Sequence, residues 1–345
     1  MGMIQIKGKN YVYGKILYNE KREPGWNLGD SIQTFAIEYI YQTMKIDEKD
    51  IEAVQIDDIS TYKAKGDYKL ILPMQGCFRY LKKKDIFPIS KDIIPVFIGF
   101  SRWMCGHDKV VQYEPWGRIG CRDEETLRLL KKKGVDAFLS GCLTICFPKR
   151  KEQPKNGKIF MVDTPSGIEN YMPEEYKARL VYVSQETDDG KNLEQRAQAL
   201  LNQYCREAEL VVTSRLHCAS PCMAMGIPVI MVRQYFDGRY EWIGKYTKLY
   251  TPDLFSTINW DPKPVELEHA KKMIMQLAKD MLMLEDYTQK SEEVNTFYME
   301  REKENSRTPF KVACYLKVLA VNPKLAYFIR KKVLRKFTVL NQDKK

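Results

Sequence analysis

Histidine is scarce in this chain, with three in 345 residues, and no long uncharged apolar run is present. The least charged stretch, Leu216 to Val232, is interrupted by His217, Ser220, Pro221, Gly226 and Pro228. A spanning helix needs about 20 mostly apolar residues, so no membrane-crossing segment is expected. The start, Met1 to Lys7, has neither an apolar core nor a small-residue cleavage site, so no signal peptide is expected. Nine cysteines is an odd number, scattered through strand-like and helix-like segments, which excludes a small disulfide scaffold. Reduced thiols in a cytosol are the expectation. A basic main body is missing too. Of the net charge of +11, the stretch Asn322 to Lys345 carries +7, from eight Lys/Arg and one Asp, leaving +4 for residues 1–321. Nucleic-acid binders carry their charge on the folded body, so that class is set aside.

What is present is an ordinary globular composition, 44% hydrophobic and 29% charged, at a length suited to two domains. Strands are expected at Tyr11–Leu17, Tyr68–Met74, Ile93–Phe100, Ala137–Ser140, Lys158–Val162, Leu180–Ser184, Leu210–Ser214 and Val229–Val232. Several are apolar without alternation, as in parallel strands buried on both faces. Helical patterns fall between them, at Ser31–Met44, Glu124–Lys133, Asn192–Glu207 and Cys218–Met225. Alternation of this kind predicts an α/β fold with doubly wound sheets. The polar stretch Pro148–Gly157 reads as a linker. It divides a first α/β domain, 1–150, from a second, 151–262, and a helical segment follows over 263–345.

Three segments have the residue types of a site. Gly25-Trp26-Asn27-Leu28-Gly29-Asp30 leads into a helix, and Asp30 with Gln33 fits a capping box. A carboxylate at that start disfavours a phosphate beside it, so Asn27, Gly29 and Asp30 are read either as an ordinary capped turn or as a grip on sugar hydroxyls. In Gly120-Cys121-Arg122-Asp123, Arg122 is a cation at a helix start, against the dipole. It is either a surface partner of Asp123 or a residue with a ligand. In Thr213-Ser214-Arg215-Leu216-His217, a strand runs directly into Arg215 and His217. Open α/β sheets bind ligands at such carboxyl ends. Arginine offers a planar fork for carboxylate or phosphate, and histidine passes protons near neutrality. Cys218 and Cys222 lie beside His217 but lack the second ligand cluster of a structural zinc site, so no metal is expected.

The string VVTSRLHCASPCMAMGIPVIMV resembles the signature of the polysaccharide pyruvyl transferase family, as do GWNLGDSIQ and GCRDEETLRLLKKKGVDAFLSGCLT in the same order. One departure is Leu139-Ser140-Gly141-Cys142, where many members carry Pro-Asp. The resemblance, over roughly residues 11–300, implies two Rossmann-like domains facing across a cleft in a GT-B-like arrangement. It implies transfer of pyruvate from phosphoenolpyruvate to two hydroxyls of a sugar, with His217 as general acid or base. Arg215, Arg122 and Leu216 would bind the donor, and Asn27, Gly29 and Asp30 the acceptor, a saccharide or lipid-linked saccharide. No cofactor is needed if arginines neutralise the phosphate. A nucleotide-sugar glycosyltransferase and a non-catalytic sugar-binding relative are the alternatives. In the tail, Leu325, Phe328, Ile329, Val333, Phe337 and Leu340 follow helical spacing, with Arg330, Lys331, Lys332, Arg335 and Lys336 interleaved. Such a helix either lies on the inner face of an anionic membrane or packs against the amino-terminal domain.

Overall fold

The computed structural model describes residues 3–6, 8–18, 25–79, 86–103 and 116–301. Over these described residues it is a mixed α/β fold with three larger, mainly parallel sheets and helices packed against them. In the first sheet, β1 (Ile4–Ile6) turns back antiparallel on β2 (Lys9–Leu17), and a two-residue β3 (Trp26–Asn27) follows elsewhere. Parallel to β2 run β4 (Ile51–Gln55) and β5 (Lys69–Pro73). The second sheet begins two residues beyond β5, with β6 (Gly76–Arg79). Back in the first sheet, β7 (Ile93–Val96) pairs with β5, and after three residues β8 (Phe100–Trp103) pairs with β6. Parallel strands β9 (Ile119–Cys121) and β10 (Ala137–Leu139) complete the second sheet. The strand expected over Ile93–Phe100 is therefore two strands. The chain breaks at Gly99, whose φ of +66° lies outside the extended region and suits only glycine well. Because β5–β6 and β7–β8 keep the same neighbours, the first two sheets share two bent strands.

The third sheet contains β11 (Lys158–Val162), β12 (Leu180–Val183), β14 (Ala208–Thr213), β15 (Val229–Val232) and β16 (Leu249–Tyr250), while β13 (Glu186–Thr187) lies off it. All five strands are parallel, in the order β12-β11-β14-β15-β16. The direction of winding reverses between β11 and β14, the point where a doubly wound sheet leaves a crevice at its carboxyl edge. The short β13 pairs antiparallel with β3, Glu186 opposite Asn27, and ties the early chain to the third sheet.

Among the described residues seven helices cover the sheets: α1 (Leu28–Thr43), α2 (Glu124–Lys132), α3 (Glu174–Lys177), α4 (Leu193–Glu207), α5 (Leu216–Ala224), α6 (Glu268–Leu282) and α7 (Thr288–Glu300). α1 packs on α4 and α5 and on the turn Leu143–Cys146. As a result one buried apolar cluster runs from Val12 and Ile32 through Leu143 to Tyr204 and Cys218. Each large side chain sealed there contributes about 1.5–3 kcal/mol. The polar stretch Pro148–Gly157 has no regular structure, and Arg150 anchors it to the third sheet through Ala208 O at 2.5 Å. α7 returns to the second sheet, where Asn295 Oδ1 accepts the Leu139 N–H at 2.9 Å. The seven described cysteines are unpaired. Among the described residues no helix is long and apolar enough to cross a membrane. The tail helix from Leu325 and His107 lie outside the described residues.

Candidate functional site

The helix expected from Cys218 starts two residues earlier, at Leu216, with Arg215 as its N-cap residue. His217 then falls inside the first turn, yet its backbone (φ −87°, ψ 16°) is not helical. Pro221 supplies the reason. Four residues on, it has no N–H to give the His217 carbonyl, and its ring crowds that oxygen. Gln185 Nε2 takes over the orphaned carbonyl at 3.5 Å. The kink holds the imidazole, 9% exposed, at the carboxyl end of β14.

Arg215 beside it is gripped on two edges. Its Nε donates to Asp163 Oδ2 at 2.8 Å, and its Nη2 meets Glu186 Oε1 at 2.8 Å. Burial works against the guanidinium charge, and Asp163 and Glu186 more than offset it, so the pKa lies above the ordinary arginine value. Asp163 follows β11, directly across the reversal point from Arg215. It also receives the Gln185 N–H at 3.0 Å, and its carbonyl accepts from Ser214 Oγ at 2.6 Å. Its φ of +49° is left-handed, a conformation that Asp and Asn tolerate better than most residues.

The start of α1 approaches from the other side. Asp30 is not the cap. Asn27 is, in extended conformation, with its Oδ1 accepting the Gly29 N–H at 2.9 Å, and the helix begins at Leu28 rather than Ser31. The Leu28 N–H goes to Gln185 O at 2.8 Å. Two of the N–H groups at this helix start are thus already engaged, which leaves it little capacity for an anion. Gly29 lets these elements approach closely: a Cβ there would sit 3.2 Å from His217 Cβ and 3.3 Å from Gln185 Oε1. Asp30 instead accepts from Gln33 Nε2 at 3.3 Å, and Gln33 Oε1 accepts from Arg122 Nη1 at 3.4 Å.

Arg122 is no surface partner of Asp123, since both side chains are only 1% exposed. Asp123 is the N-cap of α2, accepting the Thr126 N–H at 2.8 Å, and stands 3.8 Å from Arg122 Nε. That Nε has no hydrogen-bond partner among the described residues. Nη1 lies 3.5 Å from His217 Nε2. Arginine only donates, so Nε2 is the acceptor at this contact. A buried guanidinium so loosely paired is costly unless a ligand completes it.

Asn27, Gly29, Asp30, Arg122, Arg215, Leu216 and His217, all singled out from the sequence, line one cavity of about 230 Å³. Sequence reasoning missed Arg233, Arg239, Gln185, Glu186 and Tyr240 on its walls. Arg233 immediately follows β15, and Asp163 immediately follows β11, so the strand-end rule applied to Arg215 could have found both. The cavity wall carries four arginines against the carboxylates of Asp30 and Glu186. Arg215 and Arg239 are balanced by Asp163, Glu186 and Asp237, and the wall as a whole can receive a small anionic molecule. The departing segment Leu139–Cys142 is buried and does not line the cavity; a Cβ on Gly141 would collide with Tyr298 at 2.1 Å.

Residues 113–234 match the family model for polysaccharide pyruvyl transferase. This span contains the Arg122 and Arg215–His217 segments but not Gly25–Gln33. No curated protein matches the chain. A crystal structure of a functionally uncharacterized protein from Klebsiella pneumoniae is similar over 66% of this chain and 87% of that one, with 15% identity and a TM-score of 0.36.

Proposed function

We propose that this protein transfers the pyruvyl carbons of phosphoenolpyruvate to two hydroxyls of one sugar in a surface polysaccharide or its precursor. A cyclic pyruvate ketal and inorganic phosphate are the products. The observation that carries this reading is Arg122, sealed in the cavity wall, its Nε without a hydrogen-bond partner among the described residues and its Nη1 3.5 Å from His217 Nε2. This supports the reading because a loosely paired guanidinium lies beside an imidazole, the side chain suited to passing protons near neutrality, within the span that matches the family.

The donor brings a carboxylate and a phosphoryl group. Arg215 and Arg122 receive them, with the backbone start of α5 at Leu216. Each charge-assisted bond in so enclosed a site contributes about 1.5–3 kcal/mol. One sugar hydroxyl adds to C2 of the enol phosphate and gives up its proton while C3 takes one, turning methylene into methyl. The second hydroxyl then bonds to C2, the C2–O bond to phosphate breaks, and that hydroxyl's proton leaves with the phosphate. His217 relays protons in these steps, a role typically worth about 10²–10⁴-fold in rate. Asn27, Gly29 and Asp30 form the acceptor side. We read the architecture as two α/β domains, 1–150 and 151–262, facing across this cavity in the GT-B manner. The setting is the cytoplasm, with a saccharide or lipid-linked saccharide as acceptor.

The test is release of inorganic phosphate from phosphoenolpyruvate against a panel of cell-wall, capsule and lipid-linked sugars. Release that depends on acceptor supports the reading. Turnover of a nucleotide sugar with no reaction of phosphoenolpyruvate would replace it with glycosyl transfer.

A further inference from the structure

The four cavity arginines differ in what balances their charge. Arg215 has Asp163 and Glu186, Arg239 has both oxygens of Asp237 at 2.9 and 2.7 Å, and Arg122 has Asp123 at 3.8 Å. Arg233 has no carboxylate within 4 Å among the described residues. Its Nη1 donates to Ser214 O at 3.2 Å and to the Tyr240 hydroxyl. Its guanidinium lies 4.9 Å from the ring of Tyr240 and 5.7 Å from that of Tyr235. Tyr240 is itself fixed by donating to Ser214 O at 3.0 Å.

These contacts orient the guanidinium without neutralising it. The bond to Ser214 O ties Arg233, at the end of β15, to the residue preceding Arg215, at the end of the adjacent strand β14. Among the described residues the one carboxylate that acts on Arg233 is Asp237, at longer range and already bound on both oxygens by Arg239. A half-buried cation held in place at a cavity wall with no carboxylate in direct contact can receive an anion.

We infer that Arg233 is a donor-binding residue that grips one of the two anionic groups of the substrate, with Tyr240 as its positioning residue. This deepens the phosphoenolpyruvate reading and rests on it. The Ser-Arg-Leu-His segment thereby supplies only part of the donor site, and the strand beside it supplies the rest.

Calorimetric binding of phosphoenolpyruvate, inorganic phosphate and pyruvate to the full chain tests the inference. Arg233→Gln is expected to weaken phosphoenolpyruvate at least tenfold with the melting temperature kept, and Arg233→Lys to recover part of the loss. In turnover the donor KM rises and the acceptor KM stays. Arg233→Met, whose stem still lies over the tyrosine rings, is the second neutral variant should the first not fold. Parallel weakening of inorganic phosphate assigns Arg233 to the phosphoryl group, and weakening of pyruvate assigns it to the carboxylate. Tyr240→Phe should raise the donor KM severalfold with little change in kcat. Unchanged phosphoenolpyruvate affinity in the neutral variants overturns the inference. If the unaltered chain binds phosphoenolpyruvate but releases no phosphate with any acceptor, pyruvyl transfer fails and the Arg233 result still stands by itself. If it binds none of the three probes, both fall.

Discussion

Replacing Gly29 by alanine separates what this residue does for the helix from what it does for the site. Alanine is the better helix former by about 1 kcal/mol. The added methyl, however, would meet Asn27 Oδ1 at 3.0 Å, His217 Cβ at 3.2 Å and Gln185 Oε1 at 3.3 Å. Relaxed carbon contacts lie at about 3.5–4.0 Å, so the start of α1 and the kink of α5 must separate by roughly 0.4 Å. Overpacking of this kind costs about 1–3 kcal/mol. The net loss of stability is therefore about 0–2 kcal/mol, a few degrees in melting temperature. The site is less tolerant. Misplacing a catalytic group by about 1 Å costs about 100-fold, so a shift of roughly 0.4 Å should lower kcat about sixfold. The Arg122–His217 contact, already 3.5 Å, has no room to lengthen and survive. Phosphate release measured beside a thermal melt decides the matter. Wild-type kcat in the alanine variant would refute the claim that Gly29 sets the position of His217.

His217→Ala should lower kcat far more than it raises the donor KM; near-normal turnover would remove the proton-transfer role. Arg215→Ala should weaken both, with Arg215→Lys a partial rescue because a point charge lacks the fork. At Asp163, asparagine keeps the left-handed backbone and should leave the melting temperature nearly unchanged. Alanine there loses the bonds to Arg215 and Gln185 and should cost about 2–4 kcal/mol by chemical denaturation; equal stability of the two variants would show those bonds to be idle. Burial raises the pKa of Tyr13 and of Tyr246 to about 12 from 10.0. Since the neutral phenol is the form the fold favours, their contribution is complete below pH 10 and is lost as pH rises toward 12, by about 3 kcal/mol each. Phenolate absorbance and circular dichroism followed together should show these two rings ionising as the chain unfolds; ionisation well before unfolding would contradict their burial.

The local pattern determined a good deal of this molecule. Lys158–Val162 and Val229–Val232 are strands over the residues expected, because a run of apolar residues without alternation has few other ways to be buried. The Glu124 helix carries its own start and stop, Asp123 before it and lysines at its end. That Arg215 and His217 stand at a strand's carboxyl end was legible for the same reason, since the strand visibly runs into them. What the local pattern could not decide depends on partners far away in the chain. Asn27 displaces Asp30 as the cap because β3 pairs with β13, more than 150 residues on. The break at Phe97–Gly99 follows from two sheets sharing strands, which no single segment displays. Arg122 stands out in the sequence as a cation at a helix start, but a surface pair with Asp123 and a ligand-binding role remain equal readings until α1 and α5 close over it. The kink at His217 combines both levels. Pro221 is plain in the sequence and leaves one carbonyl unbonded, while the group that satisfies it, Gln185, is brought there only by the winding of the third sheet. Hydrogen-bond demand is local in origin, and its satisfaction is tertiary.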